Sequence, residues 1–176
     1  PCVCKNMKTE QTFVQCFMLK RESVFGDACV QEFQMMLKMV AAIEDSAAMC
    51  ITYDVLPLSR DTGMITIVPG CRTLYSLQND GQSIQNFVFE SCPYENINSL
   101  RSRILGSCAA TSVISMMLAV GDRHLENLLC TSTGEIFGVD YAFLIGEEPN
   151  IGKSVLGNNL RITPQIIEFL GGTSSV

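Results

Sequence analysis

The chain has 176 residues, a formal net charge of −6, and 47% hydrophobic against 17% charged residues. That size and balance suit one folded domain with a real core and exclude a disordered or low-complexity chain. An acidic chain is not drawn to nucleic acid or anionic lipid by its overall field, so any membrane contact must come from a local patch or a partner.

Thr12–Lys20 is apolar and β-prone and predicts one strand. Along it, Val14, Cys16 and Met18 share a face with Lys20, and their apolar character predicts that this face looks inward. Ala28–Ile43 carries Val30, Phe33, Met36, Leu37 and Val40 near helical spacing and predicts an amphipathic helix. Met49–Pro57 and Met64–Val68 predict two strands joined by the polar turn Ser59–Gly63. Gly70–Pro93 reads as irregular, anchored by Leu74, Phe87 and Phe89. Asn98–Val120 predicts a long helix, polar first and then apolar all round, hence buried. After the tight loop Gly121–Glu126, strands are expected at Leu128–Cys130 and Glu135–Val139 around the turn Ser132–Gly134. Gly146–Asn159 reads as a loop, and Thr163–Leu170 as a helix with Thr163 as N-cap and Pro164 in its first turn. The order predicts an α+β, two-lobed plan.

The nine cysteines are odd in number and sit mostly in apolar runs, which predicts free thiols in a reducing, cytoplasmic setting. Cys2 and Cys4 have no second pair and no neighbouring histidine, too little for zinc. No run reaches the ~18 apolar residues of a membrane span. Pro1–Thr9 shows no signal-peptide pattern.

The chemistry is concentrated in Gly121-Asp122-Arg123-His124-Leu125-Glu126-Asn127, directly after the long helix, and in Asp140, directly after the second hairpin strand. Phosphoryl transfer needs an Asp or His to accept the proton of the attacking hydroxyl, and an Asn and an Asp to hold magnesium against a triphosphate. A solvated turn would explain the Asp-Arg-His run alone. It does not explain Asn127 three residues on and an Asp after a matched hairpin.

These residues resemble the catalytic and metal loops of the phosphatidylinositol 3-/4-kinase family, in which the order Asp-Arg-His is distinctive. Tyr53–Pro57 and Gly63–Ile65 resemble the family's strand pair before the hinge, and Phe25–Glu32 resembles its G-D-D-L-R-Q-E/D segment. Phe143–Ser154 and Leu160–Gly172 are similar to the activation loop and following helix of type III phosphatidylinositol 4-kinases. The resemblance spans roughly Lys20 to Gly172. It implies a protein-kinase-like fold with a reduced N-lobe and hinge over 1–69 and an incomplete C-lobe over 70–176. It implies ATP and magnesium as cofactors and phosphorylation of an inositol-lipid hydroxyl at a membrane surface, by a cytoplasmic protein peripheral to that membrane. Asp122 would be the catalytic base, with His124 and Arg123 beside it. Asn127 and Asp140 would bind magnesium. Lys20 would cradle the ATP phosphates, Glu32 would orient that lysine, and Ile65, Ile67 and Val68 would flank adenine.

The chain departs from the pattern in places. Read without gaps, the family's lysine falls on Val24, so Lys20 needs the intervening four residues looped out; Ala28 and Val30 replace an Asp and an Arg. Only about twenty residues precede Lys20, so the phosphate-covering hairpin is expected to be mostly missing, and the chain stops before the closing helices expected of the large lobe. The alternative is therefore a catalytically weak kinase fold acting as a scaffold in a larger assembly, with a protein partner completing the lobes. A related protein kinase is a third reading, disfavoured by the 4-kinase-like activation loop. That loop has Glu147 and Glu148 against Lys153, which disfavours polyphosphorylated headgroups.

Overall fold

The computed structural model describes residues 2–5, 12–43, 50–147 and 162–172. The chain enters through an antiparallel ribbon of β1 (Cys2–Lys5) and β2 (Thr12–Gln15), so a short hairpin does precede Lys20. The expected single strand Thr12–Lys20 is in fact two, because the backbone breaks at Cys16 before β3 (Phe17–Lys20). There the Cys16 carbonyl accepts from Ile67 N–H at 2.8 Å.

The first three-stranded sheet has the order β3-β5-β4, with β4 at Val55–Ser59 and β5 at Thr62–Thr66. Lys20 pairs with Gly63, where a side chain would not fit: a Cβ there would lie 2.1 Å from Val24 Cγ2. Val24 is thus fully buried beneath the hairpin. Helix α1 (Phe25–Ile43) begins three residues earlier than its apolar periodicity predicts and lies against β4. Its buried positions, Asp27, Val30, Gln31 and Gln34, fall on one stripe at helical spacing.

Gly70–Pro93 is not irregular. It forms β6 (Cys71–Thr73), α2 (Leu74–Asn79) and α3 (Ile84–Ser91). Each short helix opens on a capping hydroxyl, Thr73 Oγ1 accepting from Ser76 N–H at 3.0 Å and Ser83 Oγ from Asn86 N–H at 3.1 Å. Helix α4 spans Ile97–Met117. Strands β7 (Leu128–Thr131) and β8 (Ile136–Gly138) complete the second sheet, ordered β6-β7-β8. Helix α5 (Pro164–Phe169) carries the expected Thr163 cap and leading proline. The main core joins Leu74, Leu77, Ile84, Leu100, Ile104, Leu128, Ile136 and Ile166.

The second half of α4 is not buried all round: Val113, Met116 and Met117 are exposed, while Ile114 and Ser115 are buried. One side of the helix lies against β8, where Ser107 Oγ accepts from Ile136 N–H at 2.8 Å and Thr111 Oγ1 donates to Ile136 O at 3.2 Å. A helix packed on one strand buries one stripe, whatever the hydropathy of the rest. Of the expected loop Gly146–Asn159, the part beyond Glu147, with Glu148 and Lys153, lies outside the described residues. No described helix is long and apolar enough to cross a membrane.

Candidate active site

Two polar loops are built back to back. After α4 the chain turns through Ala119 at φ 43° and Asp122 at φ 54°; after β8 it turns through Asp140 at φ 59°. Left-handed backbone is unfavourable for most residues, but Asp tolerates it because its short side chain can hydrogen-bond locally. Arg123 locks the turns together. Its Nε donates to Gly121 O at 3.0 Å, one Nη to Val139 O at 2.9 Å and the other to Asp140 O, and its guanidinium lies 4.7 Å from the centre of the Tyr141 ring. Asn127 adds two ties: its Nδ2 donates to Asp122 O at 3.0 Å, and its carbonyl accepts from Val139 N–H at 3.1 Å.

The loops face a cleft of about 360 Å³ between the two sheets. Its floor and roof are apolar, from Met18, Ile65, Ile67, Val68, Leu129, Phe137 and Val139. Its charged and amide lining comes from Lys20, Asp27, Glu126, Asn127 and Asp140, whereas Asp122 and His124 do not line it. Met18 and Lys20 both line the cleft, as strand alternation predicts. Lys20 Nζ lies 3.3 Å from Asp140 Oδ1 and 2.7 Å from Glu22 Oε1. Burial pulls the Lys20 ammonium down, but the Glu22 hydrogen bond and the carboxylates of Asp140 and Asp27 outweigh it and hold its pKa above the ordinary value.

The expected Lys20–Glu32 pair does not form. Glu32 is exposed on α1, and the acid facing Lys20 from that helix is Asp27, 1% exposed. Five residues of helix rotate a side chain by about 140° from its starting direction, so Asp27 and Glu32 cannot share a face. Asp27 Oδ1 accepts from Tyr53 Oη and from Tyr141 N–H, each at 3.3 Å. Burial, opposed by Lys20, pushes the Asp27 carboxyl above the ordinary range, and burial pushes the Tyr141 phenol up to about 12. Gly26 makes the approach possible, since a Cβ there would sit 2.0 Å from Tyr141 O. The periodicity of α1 could have revealed Asp27, because Asp27, Gln31 and Gln34 recur on the buried stripe.

Arg123 does not stand free beside Asp122: it is 4% exposed, and three of its donors are directed at carbonyls that tie the two loops together. His124 is partly exposed beside Asp122, its Nε2 3.8 Å from Asp122 Oδ1. Its Nδ1 accepts from Glu126 N–H at 3.2 Å, so a neutral imidazole carries its proton on Nε2, towards Asp122. At the inner edge of the cleft, Thr66 N–H is taken by Asp54 O at 2.9 Å and Ile67 N–H by Cys16 O, whereas Val68 N–H has no partner among the described residues. Ile65, Ile67 and Val68 all line the cleft.

Residues 17–170 match the family described as phosphatidylinositol 3- and 4-kinase. The chain belongs to that family. Among its relatives, the phosphatidylinositol 3-kinase VPS34 of Arabidopsis thaliana is 30% identical over 161 residues, covering 85% of this chain and 19% of the relative. VPS34 of Saccharomyces cerevisiae is 32% identical over 128 residues, 70% of this chain and 14% of the relative. Phosphatidylinositol 4-kinase beta of Xenopus laevis is 27% identical over 157 residues, 84% of this chain and 19% of the relative. The matches include 3-kinases as well as a 4-kinase, so membership is established at the level of the family. The chain spans a fifth or less of the length of the curated relatives it matches.

Proposed function

We propose that this chain is an ATP- and magnesium-dependent phosphotransferase that phosphorylates an inositol-lipid hydroxyl at a membrane surface. The observation that carries this reading is one largely apolar cleft lined by Lys20, Asn127 and Asp140, with Lys20 Nζ 3.3 Å from Asp140 Oδ1. The apolar slot suits a purine ring, and the Val68 N–H, without a partner among the described residues, offers it a hydrogen bond. Lys20 stands where the phosphates would lie and would hold them by charge, with Asp27 and Asp140 keeping the ammonium in place. The two sheets with the cleft between them support the division into a small lobe over 1–69 and a large lobe over 70–176.

The donor set suits magnesium. Asn127 spends its Nδ2 on Asp122 O, leaving Oδ1 as a ligand oxygen, and Asp140 offers a carboxylate from the same cleft. Bound there, the ion would neutralise charge developing on the triphosphate. Asp122, on the neighbouring turn, would accept the proton of the lipid hydroxyl, with His124 Nε2–H beside it at the transferring phosphate. Arg123 would keep the base and the metal-binding loop in register throughout. A protein partner or further chain would complete the lobes, and membrane attachment would be peripheral.

The test is direct. Purified chain should bind ATP with magnesium by calorimetry and transfer labelled phosphate to phosphatidylinositol vesicles. Binding without turnover would favour the scaffold reading; no binding would sink the kinase reading.

A further inference from the structure

The stretch Arg21–Val24 separates Lys20 from α1 and places Glu22 over the cleft's cation. Glu22 Oε1 lies 2.7 Å from Lys20 Nζ, closer than Asp140 Oδ1 at 3.3 Å. The two carboxylates are anchored differently. Asp140 is fixed by its own backbone turn and by Arg123 on its carbonyl. Glu22 has a side chain 57% exposed, on a bend, and Lys20 is its sole partner among the described residues. It does not line the cleft itself, so nothing in the slot depends on it. A carboxylate presents to an ammonium the same charge and the same kind of oxygen as a phosphate does. Glu22 thus takes up one of the ammonium donors of Lys20 that a nucleotide phosphate would also call on.

We propose that Glu22 is a built-in counter-ion, which neutralises Lys20 from outside the cleft in the empty chain and competes with an entering triphosphate for its ammonium. The proposal rests on the nucleotide reading above and adds a regulator of it: the same four residues that displace Lys20 from the family's position supply its competitor. Departure of Glu22 leaves Lys20 with Asp140 and Asp27, so the amine stays paired and the cost of exchange is modest. An exposed bend needs no wider rearrangement to release one side chain.

The test is calorimetric titration of ATP and of adenosine, without metal, into the wild-type chain, Glu22→Gln, Lys20→Met and the double variant. Glu22→Gln should bind ATP about fivefold more tightly, the scale of a partly exposed ion pair, and adenosine equally well. The gain should vanish in the Lys20→Met background. Unchanged or weaker ATP binding by Glu22→Gln, with the wild type binding normally, would overturn the counter-ion and leave the nucleotide reading standing. A gain shared by adenosine would also overturn it, since that would report an opened slot and not a removed charge. Failure of all variants to bind either ligand would remove the nucleotide reading and this proposal together.

Discussion

Lys20 and Asp140 are 120 residues apart in the chain, and their charged atoms lie 3.3 Å apart. One ends a strand of the first sheet; the other follows the last strand of the second. If this pair marks the phosphate site, Lys20→Met should weaken ATP binding by about 10- to 100-fold, the range of hydrogen bonds to charged groups. Lys38→Met is the control, because Lys38 donates to Thr52 Oγ1 and does not line the cleft. Equal losses in the two variants would refute a specific role for Lys20.

Asp122→Asn should lower phosphate transfer by about 10²- to 10⁴-fold, the usual contribution of a general base. Asn is a better choice than Ala, since Asp122 sits at φ 54° and Asn tolerates that backbone. The thermal midpoint should stay near that of the wild type. Undiminished turnover would remove Asp122 from the chemistry, and a large fall in midpoint would make its role structural.

Arg123→Lys should be strongly destabilising in spite of its retained charge. A lysine cannot reproduce the planar fork that reaches Gly121 O, Val139 O and Asp140 O, nor the stacking on Tyr141. A loss of about 2–4 kcal/mol is expected from the carbonyls left unsatisfied. Denaturant titration measures it, and a change under about 0.5 kcal/mol, typical of surface substitutions, would contradict the clamp.

The raised Asp27 carboxyl gives a pH signature. Burial favours its protonated form in the folded chain. Its stabilising contribution is therefore full below the ordinary carboxylate range and is lost as pH rises through the elevated value. Asp27→Asn should flatten the stability curve over that acid range and raise the melting temperature at neutral pH relative to wild type. A variant whose pH–stability curve parallels the wild type would show that Asp27 does not carry the shift.

Much of this site can be read from residue order alone. Asp122, Asn127 and Asp140 fall next to well-marked helix and hairpin boundaries, and simple alternation turns Lys20 inward with Met18. Glu32 fits the family motif but not the helical phase of the buried stripe, which Asp27 satisfies. Arg123 looks like chemistry in a one-dimensional motif, and only its three carbonyl partners reveal a clamp. Helices α2 and α3 are too short for a periodic signal, and their capping hydroxyls, Thr73 and Ser83, were the available cue. The far end of α4 misled for the opposite reason: a helix apolar on every side gives no contrast from which to choose its buried stripe.

The Arg123 clamp also limits how the site can move. Gly121, Val139 and Asp140 share one guanidinium, Asn127 bridges the same turns, and Asp27 joins α1 to them through Tyr141 N–H. The Asp122 turn, the Asp140 turn and the start of α1 are consequently tied into one hydrogen-bonded group. A change in the cleft's aperture would then fall on the connections of this group to the first sheet, Arg21–Val24 and Ile67–Gly70, and not within the turns.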